Sequence, residues 1–330
     1  MSSLLDAKDI KAYYRFSSQF VRAVDGVTLN IDYGDILGIA GESGSGKSTL
    51  GNVLMMNIRP PLQFMEGRII LEGKYDLTMM TYQDLKSQIW GRVIALVPQN
   101  ALNVLIPTRK VQDFIIDVLK VHQKLRKKDA VQLARQRFQD VGLPVEVLIK
   151  YPHQLSGGMR QRVVIAIATL LSPKILIADE PTSALDVSTQ KQVLKMLLQL
   201  HVDNIVKSTI LITHDIAILR QVAIKIGIMY AGKIIETAPA DQLLQTPLHP
   251  YTRGLIQCVV TPEPEISKRG LTHIPGEPPD LIRPPSGCRF HPRCMHAELI
   301  CIQEEPPLTF MTNHHMVACH LATRWQACSL

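Results

Sequence analysis

The sequence predicts an α/β fold, and three observations carry that prediction. An apolar run at residues 36–40 ends at Gly41-Glu42-Ser43-Gly44-Ser45-Gly46-Lys47-Ser48, after which the pattern turns helical. A second apolar run at 175–178 ends on the acidic pair Asp179 and Glu180. Between the two, residues 100–172 follow a helical period rather than the two-residue alternation of a strand. Strand, glycine-rich loop and helix, in that order, is a context in which backbone N–H groups converge on an anion.

The elements follow in order. Val27-Thr28-Leu29-Asn30-Ile31 alternates with period two and Tyr33-Gly34-Asp35 supplies a turn, so residues 1–40 read as strands. Amphipathic stretches around 111–124 and 129–141 read as helices, and the helix after Gly158 runs apolar to Leu171 and stops at Pro173. Residues 209–213 return to a buried strand, while 226–230 and 233–237 flank Ala231-Gly232 as a hairpin. Beyond residue 238 the composition shifts. Thirteen of the 21 prolines fall between Pro239 and Pro307, which excludes long helices there. All six cysteines lie there too, and Cys288, Cys294, Cys301 and Cys319 are the four that group together, with Cys258 and Cys328 standing apart. The expected domains are 1–238, with a helical part near 100–172, and a small irregular one at 239–330.

Composition bounds the function classes. With 46% hydrophobic and 20% charged residues the chain is expected to fold as a globular protein, not to remain disordered. Its longest near-continuous apolar run, 163–171, falls short of the ~20 residues that cross a bilayer. Met1-Ser2-Ser3-Leu4-Leu5-Asp6 has no basic n-region, so a cytosolic protein is expected, touching membranes only through a partner. The net charge of +7 is scattered, with one dense cluster at 124–128, so no nucleic-acid partner is expected.

The chemistry of the loop follows from its residues. Glycines 41, 44 and 46 let the backbone wrap a polyphosphate with its N–H groups inward, and Lys47 brings a cation to the β- and γ-phosphates. The Ser48 hydroxyl suits Mg²⁺, and Ser43 and Thr49 complete the candidate ATP-binding set. Asp179 ends its apolar strand where a carboxylate holding Mg²⁺ through water belongs. Farther along, Ser156, Gly157 and Gly158 open a helix whose free N–H groups and dipole suit a phosphate.

Leu155-Ser156-Gly157-Gly158-Met159-Arg160-Gln161-Arg162, placed shortly before Asp179 and Glu180, resembles the signature of ATP-binding-cassette (ABC) ATPases. The resemblance implies a RecA-like P-loop NTPase core with an antiparallel β subdomain and a helical subdomain. It implies that Ser156, Gly157, Gly158 and Gln161 read ATP held by a second chain, and that Glu180 is the general base. Gln99, in Val97-Pro98-Gln99-Asn100, matches the Q-loop, which touches Mg²⁺ and the lytic water. His214 matches the switch histidine at the γ-phosphate, and Pro181-Thr182-Ser183-Ala184-Leu185-Asp186 the D-loop. By the same pattern Tyr14 stacks on adenine, with Tyr13 and Phe16 as neighbouring alternatives. Residues 102–107 depart from the family's usual segment after the Q-loop.

The tail cysteines have five, six and seventeen residues between them. Four thiols in a proline-rich segment suggest a metal or cluster staple, although the spacing matches neither the zinc-knuckle nor the ferredoxin runs. Zinc, with His291, His296 or His320 replacing a ligand, and plain structural thiols stay open. Leu248-His249-Pro250-Tyr251-Thr252 followed by Gly287-Cys288-Arg289-Phe290-His291-Pro292-Arg293-Cys294 resembles the C-terminal region of oligopeptide/dipeptide importer ATPases. That resemblance implies a [4Fe–4S] cluster on the four cysteines and ATP hydrolysis driving uptake of peptides or oligosaccharides. It further implies a second ATPase subunit, as a heterodimer, and two transmembrane permease subunits that engage an external binding protein. The expected location is the cytoplasmic face of the membrane. A soluble ABC ATPase acting on nucleic acid or ribosomes is the rival, but this chain has neither the second cassette nor the long coiled coil usual there.

Overall fold

The computed structural model describes residues 3–123, 126–183, 185–258, 274–312 and 314–325. Its strands are β1 (Ser3–Phe16), β2 (Gln19–Asp32), β3 (Ile36–Ala40), β4 (Leu62–Leu71), β5 (Tyr75–Asp76) and β6 (Ile94–Val97). They continue with β7 (Ile175–Asp179), β8 (Ser208–Ile212), β9 (Lys225–Tyr230), β10 (Lys233–Pro239), β11 (Thr309–Thr312) and β12 (His315–Val317). The chain divides into two compact units. Met1–Asp32, Ile36–Thr78 and Ile212–Leu330 form the first, and Tyr33–Asp35 with Met79–Leu211 the second.

In the first unit the alternating N-terminal segments become an antiparallel sheet in the order β2-β1-β4-β5. Leu4, Leu5, Ala7, Ile10 and Ala12 of β1 are buried. β3 is buried at all five positions and pairs in parallel with β9, Gly38 opposite Ile226 and Ala40 opposite Ile228. A parallel strand covered on both faces needs such a continuous apolar run. The hairpin expected at Ala231-Gly232 joins β9 to β10, and both turn residues have positive φ, +47° and +84°. That geometry matches the right-handed twist of the flanking strands.

Two strands after residue 238 extend the sheet of β3, β9 and β10. β12 pairs antiparallel with β10, and β11 with β12. Glu236 of β10 is fully buried, and its carboxyl accepts the N–H groups of Leu248 at 2.6 Å and His249 at 3.0 Å. His315 Nε2 of β12 lies 2.7 Å from the same carboxyl. Burial pushes His249 down to about 4, so its ring stays neutral near pH 7. Its Nδ1 accepts the Tyr251 N–H at 3.0 Å and caps the helix Pro250–Gln257.

The second unit holds β6 and β7 in parallel, Ile94 opposite Ile175 and Val97 opposite Ala178. Its helices include Val111–Gln123, Lys127–Asp140, Gly157–Thr169 and Val187–Val202, which realise the helical pattern of residues 100–172 and extend beyond it. No helix among the described residues is long and apolar enough to cross a membrane.

Candidate functional site

In the first unit, β3 delivers the chain into a loop that only glycine can build at two positions. A Cβ on Gly41 (φ +153°) would lie 2.1 Å from the Met229 carbonyl oxygen. One on Gly46 (φ +104°) would lie 2.0 Å from that of Ala23. Backbone cannot yield as a side chain can, so the loop is drawn tight against β2 and β9. The helix Lys47–Leu54 then begins. Lys47 is 6% exposed, and its Nζ donates to the carbonyls of Gly41 and Glu42, both at 2.8 Å, and to Ser45 Oγ at 3.3 Å. The loop thus encircles its own ammonium group. Ser43 and Gly44 form the exposed rim, Ser48 is half-buried and Thr49 buried.

Three aromatics of β1 are the candidates for adenine stacking, and the structure gives them different partners. Tyr13 donates its hydroxyl to Asp25 at 2.6 Å, and burial followed by that carboxylate raises its pKa. The Tyr14 hydroxyl lies 3.1 Å from Thr49 Oγ1, tying its ring to the helix that follows the loop. Phe16 stacks on Tyr14 with ring centroids 6.5 Å apart. His214 is exposed just after β8, where the Thr213 N–H donates to the Ile39 carbonyl at 3.1 Å. That bond sets it at the same end of β3 as Gly41. Asp215 accepts the Ala217 N–H at 2.8 Å and caps the next helix.

In the second unit the parallel register of β6 and β7 aligns their ends. Val97 faces Ala178, so Gln99 and Glu180 emerge together, and Gln99 Nε2 donates to Glu180 Oε2 at 3.4 Å. Asp179 is buried at the end of β7. Glu180 has a left-handed backbone, φ +46°, rare outside glycine and a form of strain that collects at functional sites. Its carbonyl accepts the Ser183 N–H at 3.1 Å and hydroxyl at 2.9 Å, which fixes the turn. Asp186 caps the helix Val187–Val202: it accepts from Ser188 at 2.6 Å and from Thr189 N–H at 3.0 Å. Those bonds, Ser188 first, hold its carboxyl well below the usual carboxylate range.

Ser156 is the N-cap of the helix Gly157–Thr169, its Oγ accepting the Met159 N–H at 3.2 Å. Ser156 is exposed and Gly157 half-buried, whereas Gly158 and Gln161 are buried. A Cβ on Gly158 would stand 2.5 Å from Thr189 Cγ2, so this glycine lets two helices approach. Gln161 is 3% exposed.

In the tail, Cys301 is buried and Cys288, Cys294 and Cys319 half-buried, all as free thiols. The Cys288 N–H donates to the Cys301 carbonyl at 2.8 Å. Burial pushes the Cys288 thiol up to about 11, with Cys301 and Cys294 adding to it, and that of Cys319 up to about 12. No group of three or more His, Cys, Asp or Glu among the described residues could hold a metal ion as it stands. The expected cluster therefore rests on donor chemistry rather than on a formed cage.

Two further contacts reach from this tail to the N-terminal part of the first unit, one to β2 and one to the loop, and sequence reasoning missed both. Arg289 pairs with Asp25, the partner of Tyr13, and Arg293 binds Glu42 inside the loop at 2.7 and 2.9 Å. The arginines stand four apart between Cys288 and Cys294, a local pattern that says nothing of where they reach.

Comparison with known proteins accords with this geometry. The ABC transporter family profile matches residues 24–183, and that of the oligopeptide/dipeptide transporter C-terminal region matches 235–301. A dipeptide transport ATP-binding protein of Caldanaerobacter subterraneus subsp. tengcongensis is 41% identical over 324 residues, 97% of this chain and 98% of that one. An oligopeptide transport ATP-binding protein of Bacillus subtilis is 40% identical over 322 residues, 96% of this chain and 88% of that one. A dimeric ATP-binding cassette in a post-hydrolysis state, bound to ADP and Pi, is 26% identical with a TM-score of 0.63. It covers 72% of this chain and 98% of its own. With a strand-end phosphate loop, an acid pair closing β7 and relatives alike over their whole length, the chain belongs to the ABC transporter ATP-binding proteins of the oligopeptide/dipeptide type.

Proposed function

We propose that the chain hydrolyses ATP to drive uptake of short peptides through separate membrane subunits. The contact between Gln99 and Glu180 carries this reading, because it sets a carboxylate and an amide side by side to orient one water. Glu180 takes the proton as that water attacks the γ-phosphorus, and ADP leaves. Gly41, Ser43, Gly44, Gly46, Lys47 and Thr49 bind the phosphates, Tyr14 stacks on adenine and His214 meets the γ-phosphate. Mg²⁺, when bound, neutralises the phosphate oxygens; Ser48, Gln99 and Asp179 carry the oxygens assigned to it.

Ser156, Gly157 and Gly158 are assigned to the nucleotide of a second ATPase chain, and the exposed Ser156 supports this. Asp186 of the D-loop, already bonded as a helix cap, shapes that same surface. The dimeric relative bound to ADP and Pi accords with such an assembly. Exposed Val104 and Ile106, just after Gln99, supply an apolar contact for a membrane subunit, consistent with a peripheral position on the cytoplasmic face. Purified chain alone should hydrolyse ATP slowly. Its specific activity should climb with concentration, and again when a second ATPase chain and the membrane subunits are added. Full activity that persists at high dilution would remove the second chain from the mechanism.

We assign a [4Fe–4S] cluster to Cys288, Cys294, Cys301 and Cys319. The support is donor chemistry: the four are free thiols, and the Cys288 N–H donates to the Cys301 carbonyl at 2.8 Å, which ties two of the segments that carry them. A cluster spreads its thiolates wider than a single ion does, whose Zn–S bonds are about 2.3 Å. The group would tie the proline-rich tail together and takes no part in hydrolysis. Protein purified without oxygen should be brown and hold about four irons per chain. A colourless preparation with one zinc would overturn the assignment.

A further inference from the structure

Glu42, the second residue of the phosphate loop, is held at three points. Its carbonyl accepts Lys47 Nζ at 2.8 Å, its N–H donates to the Tyr251 hydroxyl at 2.9 Å, and its carboxylate receives the Arg293 guanidinium. The last pair is bidentate, Nη1 to Oε2 at 2.7 Å and Nη2 to Oε1 at 2.9 Å. Arg293 is itself fixed. Its side chain is 6% exposed, its Nε donates to the Pro275 carbonyl at 2.8 Å, and its Nη1 lies 3.3 Å from the Tyr230 hydroxyl. The guanidinium stands 5.8 Å from the ring centre of Tyr230 and 5.9 Å from that of Phe290. Tyr230, Tyr251 and Phe290 pack on one another with centroids 4.5 to 5.4 Å apart, giving a rigid base beneath the loop.

A carboxylate inside a loop that receives a polyphosphate poses an electrostatic problem. Unpaired, it repels the phosphates and competes for the Lys47 ammonium that they need. Paired in a fork with buried Arg293, it is neutralised, and the backbone atoms on either side of it are immobilised.

We propose that Arg293 is a positioning residue of the ATP site: by neutralising and anchoring Glu42 it presets the loop amides and Lys47 for the β- and γ-phosphates. The proposal rests on the reading of residues 41–48 as the phosphate loop. It makes the tail part of the nucleotide site, since the segment carrying Cys288 and Cys294 also carries this arginine.

The test is equilibrium binding of a fluorescent ATP analogue, displaced by ATP, to the full chain. Arg293→Met should weaken ATP binding by about tenfold or more, as expected when one partner of a buried pair is removed. Adding Glu42→Gln to Arg293→Met should tighten binding again by about fivefold, because the stranded charge is gone. A tail acting only as scaffold would give no such recovery, since Glu42→Gln cannot refold it. Wild-type affinity in Arg293→Met, or a double variant as weak as the single, overturns the proposal. Should Arg293→Met fail to fold, Arg293→Lys replaces it: the fork is lost and the stem kept, and recovery with Glu42→Gln is again required. If wild-type chain bound no ATP, or Lys47→Met bound it unchanged, the phosphate-loop reading itself would fall instead.

Discussion

Glu180→Gln should lower kcat by about 10²–10⁴-fold, the usual contribution of general base catalysis, while ATP still binds. The substitution keeps the shape of the side chain and a polar group facing the Gln99 amide, which donates to Glu180 at 3.4 Å in the native chain. What it removes is the capacity to take a proton from water. The phosphate-binding groups are untouched, because Lys47 and the loop glycines belong to another segment, held by β2 and β9. The variant should therefore accumulate with ATP bound, in a closed pair with a second chain. Single-turnover hydrolysis and nucleotide retention measure the two effects separately. Activity within a few-fold of wild type would remove Glu180 from the role of base.

Glu236→Leu should destabilise the first unit by about 2–9 kcal/mol, from two or three buried donors at about 1–3 kcal/mol each. In the native chain one carboxyl, fully buried, serves the N–H groups of Leu248 and His249 and faces His315. Leucine has similar volume, so a cavity contributes little and the loss comes from unpaired polar groups. The N–H groups of Leu248 and His249 lead into the helix Pro250–Gln257, and His315 belongs to β12, so the tail should loosen first. Urea unfolding gives the magnitude, and hydrogen exchange at β12 gives the order of events. A loss under about 1 kcal/mol would mean that water replaces the carboxyl and that the tail is held by other contacts.

Contiguous residues made the phosphate loop legible. Although the carbonyls of Ala23 and Met229 that crowd Gly46 and Gly41 are remote in the chain, Gly44, Gly46 and Lys47 show their pattern locally, in a turn of positive φ that opens a helix. The same holds for Ser156, an N-cap readable from its place before a helix, and for Asp179 at the end of an apolar run. The Ala231-Gly232 hairpin was equally open to inspection, because the residues that need positive φ are the turn itself.

Other features depend on partners remote in the chain. Glu236 looks in sequence like one more polar strand residue, yet β12 and the chain at 248–249 bury it. Tyr13 and Tyr14 are indistinguishable as neighbours; Asp25, held in turn by Arg289 from 264 residues away, engages the first and leaves the second against Thr49. That Gln161 is buried depends likewise on packing within the second unit.

The sequence by itself determined that this protein is an ABC ATPase of the oligopeptide/dipeptide type with a phosphate loop at the end of β3. Those properties reside in short motifs whose backbone conformation is decided locally. Only the tertiary structure decided that the cysteine-bearing tail reaches the loop, through an ion pair between residues 251 positions apart. The reason is physical: a half-buried carboxylate in such a loop is best paired with a cation, and the chain's fold, not its local pattern, determines which arginine stands within 3 Å.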